Sequence, residues 1–295
     1  MANQTATLSS DTASAVPLHL YRGPASPPLR EAPGPVRIDV NGLCKSFKLP
    51  SGTIQAVDDV SLKIRKGEFV SLIGPSGSGK STILNMIAGL IPSSGGQISV
   101  DGETVGANWT SPKLGYMFQK DTCYPWRNVE QNVGLGLELA GVSRHESKER
   151  VAQAIESAGL RGFEKAFPKM LSGGMRQRVS LMRTLIMKPE ILLMDEPFGA
   201  LDTHTKLDMH KLLLQIWESQ RQTVVFVTHD LGEALTLSDR IVLLSARPGR
   251  MKEVFDIDFP RPRDAVKLRE LPEYSHAFSN IWHSLGEEFR KGKAE

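Results

Sequence analysis

The stretch Gly-Pro-Ser-Gly-Ser-Gly-Lys-Ser-Thr at residues 74–82 constrains the fold of this chain more than any other feature. It matches the pattern G-x-x-x-x-G-K-[ST], whose fixed positions are occupied by Gly74, Gly79, Lys80 and Ser81. A short, apolar, β-prone run precedes it at residues 68–73, and a run with helical spacing follows it at residues 83–90. A strand, a glycine loop and a helix in this order predict a phosphate-binding loop rather than a chance glycine turn.

Each residue type in this loop has a chemical reason. Glycines let backbone N–H groups turn inward and approach an anion closely. The N-terminus of the following helix adds a partial positive charge. We expect Lys80 to reach the β- and γ-phosphates of a nucleotide and Ser81 to bind Mg²⁺.

Length, charge and cysteine content restrict the class of protein. The chain has 295 residues, which leaves room for one or two domains, and its net charge of +3 gives no support to a nucleic-acid partner. Cys44 and Cys123 lie far apart, which is typical of free thiols in a reducing compartment. No apolar run approaches the ~20 residues of a membrane-spanning helix, and the N-terminus has no secretory pattern. We therefore expect a cytoplasmic protein.

The composition divides the chain. Residues 1–35 are rich in Ala, Ser, Thr and Pro and are predicted to be a disordered tail. Residues 36–260 form the main domain, in which strands alternate with helices and a helical subdomain is inserted at about 127–187. Residues 261–295 are predicted to be a helical extension. Its apolar stripe, interpreted as packed on the core, consists of Phe278, Ile281, Trp282, Leu285 and Phe289.

Two carboxylates follow an apolar run at residues 191–194. The run does not alternate with polar residues, which is typical of a central parallel strand covered on both faces. If this strand lies beside the phosphate-loop strand, Asp195 belongs to the Mg²⁺ shell and Glu196 lies near the γ-phosphate. Without the phosphate-binding loop, the same pattern would fit an ordinary strand with an acidic turn.

A second anion site is predicted at residues 171–178. Ser172 is a candidate N-cap, and Gly173 and Gly174 open the helix that follows. Backbone N–H groups and the helix dipole would face an anion there. The alternative is a glycine turn before an amphipathic helix.

His229 and Gln119 each follow a predicted strand. His229 comes after the apolar run at residues 223–227, and Gln119 comes after the run at residues 114–118. Ligands of open parallel sheets bind at the carboxyl ends of the strands, so both side chains are candidates for the nucleotide site.

In this combination and order, the motifs resemble those of an ATP-binding cassette (ABC) ATPase, the nucleotide-binding subunit of an ABC transporter, over about residues 36–250. The resemblance implies a P-loop NTPase (RecA-like) α/β core, a β-rich N-terminal subdomain and an inserted helical subdomain. The nucleotide-contacting residues that it implies are Phe47, Gly74, Pro75, Ser76, Gly77, Ser78, Gly79, Lys80, Ser81, Thr82, Ser172, Gly173, Gly174 and Asp202. The catalytic residues that it implies are Lys80, Gln119, Glu196 and His229, and the Mg²⁺ ligands are Ser81, Gln119 and Asp195. Phe47 would stack on adenine, and the alternative is that it lies in the core.

The resemblance also implies partners. Two copies would form a head-to-tail homodimer. Each ATP would be held between residues 74–81 of one chain, which resemble the Walker A loop, and residues 171–177 of the other, which resemble the signature segment. Residues 123–129 and 244–250 are similar to segments of nitrate, taurine and alkanesulfonate importer ATPases. This implies a separate transmembrane permease, a periplasmic or extracellular substrate-binding protein, and a position on the inner face of the membrane.

Several alternatives stay open at this stage. An ABC ATPase outside transport and an exporter ATPase are the rival functions, and thiamine precursors are a further substrate class. Trp126 either contacts the permease or packs inside the helical subdomain.

Overall fold

The computed structural model describes residues 34–50, 52–106, 109–120 and 122–294. The tail predicted for residues 1–35 lies outside this part of the chain except for its last two residues. None of the described helices combines the length and the apolar character needed to cross a bilayer.

Strands and helices alternate along most of the described chain. The strands are β1 (Val36–Leu49), β2 (Gly52–Arg65), β3 (Phe69–Ile73), β4 (Gly95–Val100), β5 (Glu103–Thr104), β6 (Leu114–Met117), β7 (Ile191–Asp195), β8 (Thr223–Val227), β9 (Arg240–Leu244) and β10 (Met251–Asp256). The helices are α1 (Lys80–Ile87), α2 (Val129–Val133), α3 (Leu135–Leu139), α4 (Arg144–Ser157), α5 (Gly173–Leu185), α6 (Thr203–Gln220), α7 (Leu231–Leu237) and α8 (Pro272–Ala294). Short 3₁₀ helices lie at Pro168–Met170 and Lys267–Glu270.

The strands form two sheets. A four-stranded antiparallel sheet has the order β2-β1-β4-β5, and a six-stranded sheet has the order β10-β9-β3-β8-β7-β6. Strands β9, β3, β8, β7 and β6 run parallel, and β10 is antiparallel to β9. The phosphate-loop strand β3 is therefore central, so its carboxyl end lies among the carboxyl ends of its neighbours.

The central strands are buried on both faces, as their unalternating sequences predict. In β7, Ile191 and Leu193 belong to the core shared with the antiparallel sheet and α1. Leu192 and Met194 belong to the core shared with the helical segment and α6. One strand thus contributes to two cores, which requires apolar residues at consecutive positions.

The helical segment between β6 and β7 begins and turns at capped positions. The sequences at residues 128–131 and 143–146 both predict a reciprocal capping box. Asn128 and Gln131 form one at the start of α2. At the start of α4 only half of the box forms, in which the Ser143 hydroxyl accepts from the Glu146 backbone N–H.

Two local predictions differ from the structure. The alternation of apolar and polar residues predicts a first strand at residues 36–40, but β1 continues to Leu49 because it pairs with β2 along its length through several register shifts. The stripe of α8 is only partly packed: Ile281 and Leu285 are buried, whereas Trp282 and Phe289 are exposed. Only one side of α8 therefore packs on the core, and Trp282 and Phe289 lie outside that contact.

Candidate nucleotide-binding and catalytic site

The phosphate-binding loop joins β3 to α1, and its glycines are required by close packing. Gly79 has φ +79°, and a Cβ atom there would lie 2.7 Å from Val57 Cγ2 and 2.8 Å from the Ala56 carbonyl oxygen. Gly74 has φ +155°, and a Cβ atom there would lie 2.8 Å from the Leu244 carbonyl oxygen. The loop is therefore pressed between β2 and β9, with its backbone amides turned toward the cleft in front of α1.

Lys80 is buried at the start of α1 and folds back over the loop. Its Nζ donates to the carbonyl oxygens of Gly74 at 2.9 Å and Pro75 at 2.8 Å. Burial lowers the pKa of the ammonium, and the carboxylates of Glu196 and Asp195 raise it in part. The cation is thus positioned at the loop without an ion pair of its own.

Ser81 and Asp195 come together, although they are 114 positions apart in the chain. The Ser81 hydroxyl donates to Asp195 Oδ1 at 2.7 Å. Burial raises the pKa of Asp195, which the Ser81 hydrogen bond and the Lys80 charge partly offset. Mg²⁺ is commonly held by one or two protein oxygens together with water and phosphate oxygens, so this pair fits the ion. The described residues contain no group of three or more His, Cys, Asp or Glu side chains suited to a metal.

Glu196 is the centre of a polar cluster at the carboxyl edge of the sheet. Its Oε2 accepts from Gln119 Nε2 at 3.2 Å and lies 3.0 Å from His229 Nδ1. Its backbone has φ +42°, which is unusual for a residue with a side chain, and its N–H donates to the Val227 carbonyl oxygen at 2.9 Å. Strands β6, β7 and β8 therefore deliver the three predicted side chains to one place.

A cleft of about 560 Å³ opens in front of the loop. The predicted site residues that line it are Phe47, Ser76, Gly77, Gly79, Lys80, Ser81, Thr82, Gln119 and Glu196. Phe47 is 39% exposed, which excludes the alternative of a core position. The Lys45 ammonium lies 5.1 Å from the centre of its ring. The remaining loop residues, Gly74, Pro75 and Ser78, do not line the cleft, and all three accept hydrogen bonds from the Lys80 ammonium.

The other predicted nucleotide-binding residues form a separate group. Ser172 caps α5 by accepting from the Met175 N–H at 3.2 Å. A Cβ atom on Gly174 would lie 2.4 Å from Thr205 Cγ2, and Thr205 in turn donates its hydroxyl to Asp202 at 2.6 Å. Ser172, Gly173, Gly174 and Asp202 are all absent from the cleft lining. Within one chain, the structure therefore assembles two groups of site residues rather than one.

Arg247 lines the cleft but was not among the residues predicted from the sequence. It follows β9, another parallel strand whose carboxyl end lies beside the phosphate-binding loop. The strand-end rule that selected His229 and Gln119 also applies there, and it would have found Arg247.

Relatives share most of the length of this chain. The family model described as "ABC transporter" matches residues 57–199. An uncharacterized ABC transporter ATP-binding protein of Methanocaldococcus jannaschii is 45% identical over 246 residues, which are 83% of this chain and 91% of that protein. The chain belongs to the ATP-binding proteins of ABC transporters. The aliphatic sulfonates import ATP-binding protein SsuB of Bacillus cereus is 40% identical, over 86% of this chain and 96% of its own length.

Solved ABC cassettes have the same fold. The dimeric, post-hydrolysis ATP-binding cassette MJ0796, whose structure contains ADP and Pi, superposes with a TM-score of 0.68 and 32% identity over 75% of this chain and 99% of its own. This confirms the predicted α/β fold with its β-rich and helical subdomains. As a member of this family, the chain binds and hydrolyses ATP.

Proposed function

We propose that the chain is the ATP-hydrolysing subunit of an ABC importer, and that it works as a head-to-tail homodimer. The observation that carries the dimer is the separation of the two groups of site residues. Ser172 and its neighbours stand apart from the cleft that holds Lys80 and Glu196. A second copy, turned by a two-fold axis, would bring the Ser172 group of one chain to the cleft of the other. The dimeric MJ0796 cassette supports this arrangement.

In the proposed mechanism, the loop amides and Lys80 hold the phosphate chain. Ser81 and Asp195 would hold Mg²⁺, with Gln119 as a further oxygen ligand, and the bound ion would neutralise phosphate charge. Phe47 stacks on the base across the open side of the cleft. The Ser172 amide end of α5 in the partner chain completes the anion site.

Glu196 is proposed to orient and deprotonate the attacking water. Its carboxylate is fixed from two sides by Gln119 and His229, so it is held at the carboxyl edge of the sheet without rotating freely. His229 lies 33 positions from Glu196 in the sequence, and its Nδ1 is 3.0 Å from the Glu196 carboxylate. Its ring is proposed to stabilise the γ-phosphate beside Glu196. Gln119 precedes the helical segment, whose first helix begins at Val129, so a shift of this cluster on hydrolysis can be transmitted through that segment to the permease.

We infer import of a small anion such as nitrate, taurine or an alkanesulfonate. SsuB is named for aliphatic sulfonate import, and its similarity extends over 86% of this chain. No residue of an ATP-binding subunit needs to touch the transported anion, so a separate permease spans the membrane and a substrate-binding protein outside it delivers the anion. The subunit then works on the inner face of the membrane.

Growth of a strain lacking the gene tests this function. Growth on an alkanesulfonate or taurine as sulfur source, or on nitrate as nitrogen source, should depend on the wild-type chain. The Glu196→Gln variant should not restore growth, because the amide cannot accept a proton and turnover should fall by about 10²–10⁴-fold. With ATP and Mg²⁺, this variant should elute from size-exclusion chromatography as a dimer.

Glu103→Gln is the matched control, since Glu103 is an exposed carboxylate on β5. It should behave as wild type in growth and elution. Normal growth with Glu196→Gln would remove Glu196 from the mechanism, and a monomeric elution with ATP would contradict the dimer. Normal growth of the deleted strain on all three sources would contradict the proposed substrates.

A further inference from the structure

The loop that follows β9, residues 245–250, lies directly on the phosphate-binding loop. A Cβ atom on Gly249 would lie 2.0 Å from the Ser78 carbonyl oxygen, so only glycine allows this approach. The same residue pairs with β2: its N–H donates to the Ala56 carbonyl oxygen, and its own carbonyl accepts from the Asp58 N–H, both at 3.0 Å. Loop 245–250 is therefore held in place by backbone contacts.

A second anchor comes from the C-terminal helix. The buried carboxylate of Glu288 on α8 accepts from the Ala246 N–H at 3.0 Å. Lys252 and Lys291 surround the same carboxylate at 3.1 Å and 2.9 Å, and together with these contacts the Ala246 hydrogen bond keeps the pKa of Glu288 low. The backbone on the N-terminal side of Arg247 is thus fixed by one element and the backbone on its C-terminal side by another.

Between these anchors, Arg247 extends over the cleft. A Cβ atom on Gly77 would lie 3.0 Å from Arg247 Nη2, which places the guanidinium beside the phosphate-binding loop. Arg250, in the same loop, is paired with Asp58, whereas Arg247 forms no ion pair with any carboxylate in the described part of the chain. A guanidinium that is carried by an anchored backbone and lines a cleft that binds an anion is suited to phosphate contacts.

We propose that Arg247 is a nucleotide-binding residue whose guanidinium contacts the phosphate chain, opposite Lys80 in the cleft. The proposal rests on the nucleotide occupying this cleft, as in the proposed function. The guanidinium presents several donors in a plane, and phosphate oxygens accept two of them at once. Because the backbone of loop 245–250 is anchored before the ligand binds, little backbone conformational entropy is lost when Arg247 contacts the phosphates.

Calorimetric titration of the purified chain with ADP and Mg²⁺ tests the proposal, with displacement of a fluorescent ADP analogue by tripolyphosphate as a second measurement. Arg247→Ala should weaken the binding of both ligands by about tenfold, as expected for the loss of charge-assisted hydrogen bonds. Arg247→Lys should fall between this variant and wild type, since it keeps the charge and loses the planar donors. Arg161→Ala, at a side chain that is 84% exposed in the helical segment, is the control and should bind as wild type.

Two results would overturn the proposal. ADP affinity of Arg247→Ala within twofold of wild type would show that the guanidinium makes no contact of consequence. Weaker ADP binding with unchanged tripolyphosphate binding would place it at the base or ribose. If wild type and Arg161→Ala themselves failed to bind ADP, the proposed function would be at fault and not the role of Arg247.

Discussion

Helices α1 and α5 both begin at glycine-rich sequences that were predicted to bind an anion, but their surroundings differ. At the start of α1, Lys80 is buried and Ser81 is bonded to Asp195 on a neighbouring strand. At the start of α5, Ser172 is exposed and its hydroxyl only caps its own helix. The first helix end is part of a cleft with cations and carboxylates, whereas the second presents backbone amides to solvent.

The difference teaches how the site divides between chains. A catalytic centre needs groups that bind the phosphates, hold the metal and activate water, and the α1 end has candidates for all three. The α5 end is proposed to add an anion site, and none of the predicted catalytic residues lies there. It gains a function when it meets the α1 end of another copy, so the two ends are expected to respond differently to substitution.

Lys80→Ala should have the largest effect. The variant removes the one lysine among the described residues that line the cleft, so the phosphates lose the ammonium that lies in the loop itself. ATP binding should weaken by about tenfold or more and hydrolysis should fall below detection. Calorimetry and a phosphate-release assay on the purified chain measure both.

Lys66→Ala is the control for this prediction, because Lys66 is exposed before β3, at the opposite end of the same strand. It should leave binding and hydrolysis unchanged. Hydrolysis that persisted in Lys80→Ala would remove the α1 end from the mechanism and with it the basis of the comparison.

Ser172→Arg should separate binding from hydrolysis. The side chain would fill the anion site that α5 presents to the partner chain, without reaching the cleft in its own chain. ATP affinity of the monomer should stay as in wild type, while hydrolysis falls by about a hundredfold, as expected when a charge-stabilising donor is lost. Titration and phosphate release on the same preparation give the two numbers.

Ser157→Arg tests whether any arginine in the helical segment has this effect. Ser157 is exposed on the last turn of α4, and the variant should hydrolyse ATP normally. Ser172→Arg also loses the N-cap of α5, which costs about 0.5–2 kcal/mol of stability, and thermal melting of both variants measures this separate effect. A parallel collapse of ATP affinity in Ser172→Arg would mean that the α5 end belongs to the site of its own chain.

The sequence predicts the fold well where local pattern and burial agree. The runs at 191–194 in β7 and 224–227 in β8 are continuously apolar because each strand serves two cores, and both strands were predicted, β8 with its bounds. Where pairing decides, the pattern is insufficient. The length of β1 depends on its partner β2, since residues such as Phe47 are held by the ladder and not by their own alternation.

In the candidate site, too, some features follow from local sequence patterns and others depend on contacts between distant parts of the chain. Residues in dense motifs, such as Ser81 and Asp195, could be predicted to meet because each follows a recognisable strand. The strand-end rule makes Arg247 a candidate, but the sequence does not show how its loop is held at the cleft, since that depends on Gly249 packing against Ser78 and on Glu288 from α8. Those contacts join distant parts of the chain and leave no local pattern.

Trp126 tests whether the helical segment, which contains the α5 end, also contacts the permease. Its side chain is 70% exposed and stacked on Tyr124 at 5.1 Å, so the alternative of a core position is wrong. The neighbouring Arg127 is held by both oxygens of Glu138, which gives it a local partner. Trp126 is therefore the side chain of this pair that is available to a partner, and exposed aromatic residues are frequent anchors in interfaces.

Trp126→Ala should leave the isolated subunit almost unchanged. Unfolding free energy should move by less than about 0.5 kcal/mol, as for other surface substitutions, and basal ATP hydrolysis should stay as in wild type. Co-purification with the permease and uptake in cells should fall. Trp282→Ala, at a 53% exposed aromatic residue on α8, is the matched control and should retain both. If Trp126→Ala still bound the permease fully, the docking surface would not include Trp126. The helical segment would then contribute to the contact with the second ATPase chain, through the α5 end, and not to permease docking at Trp126.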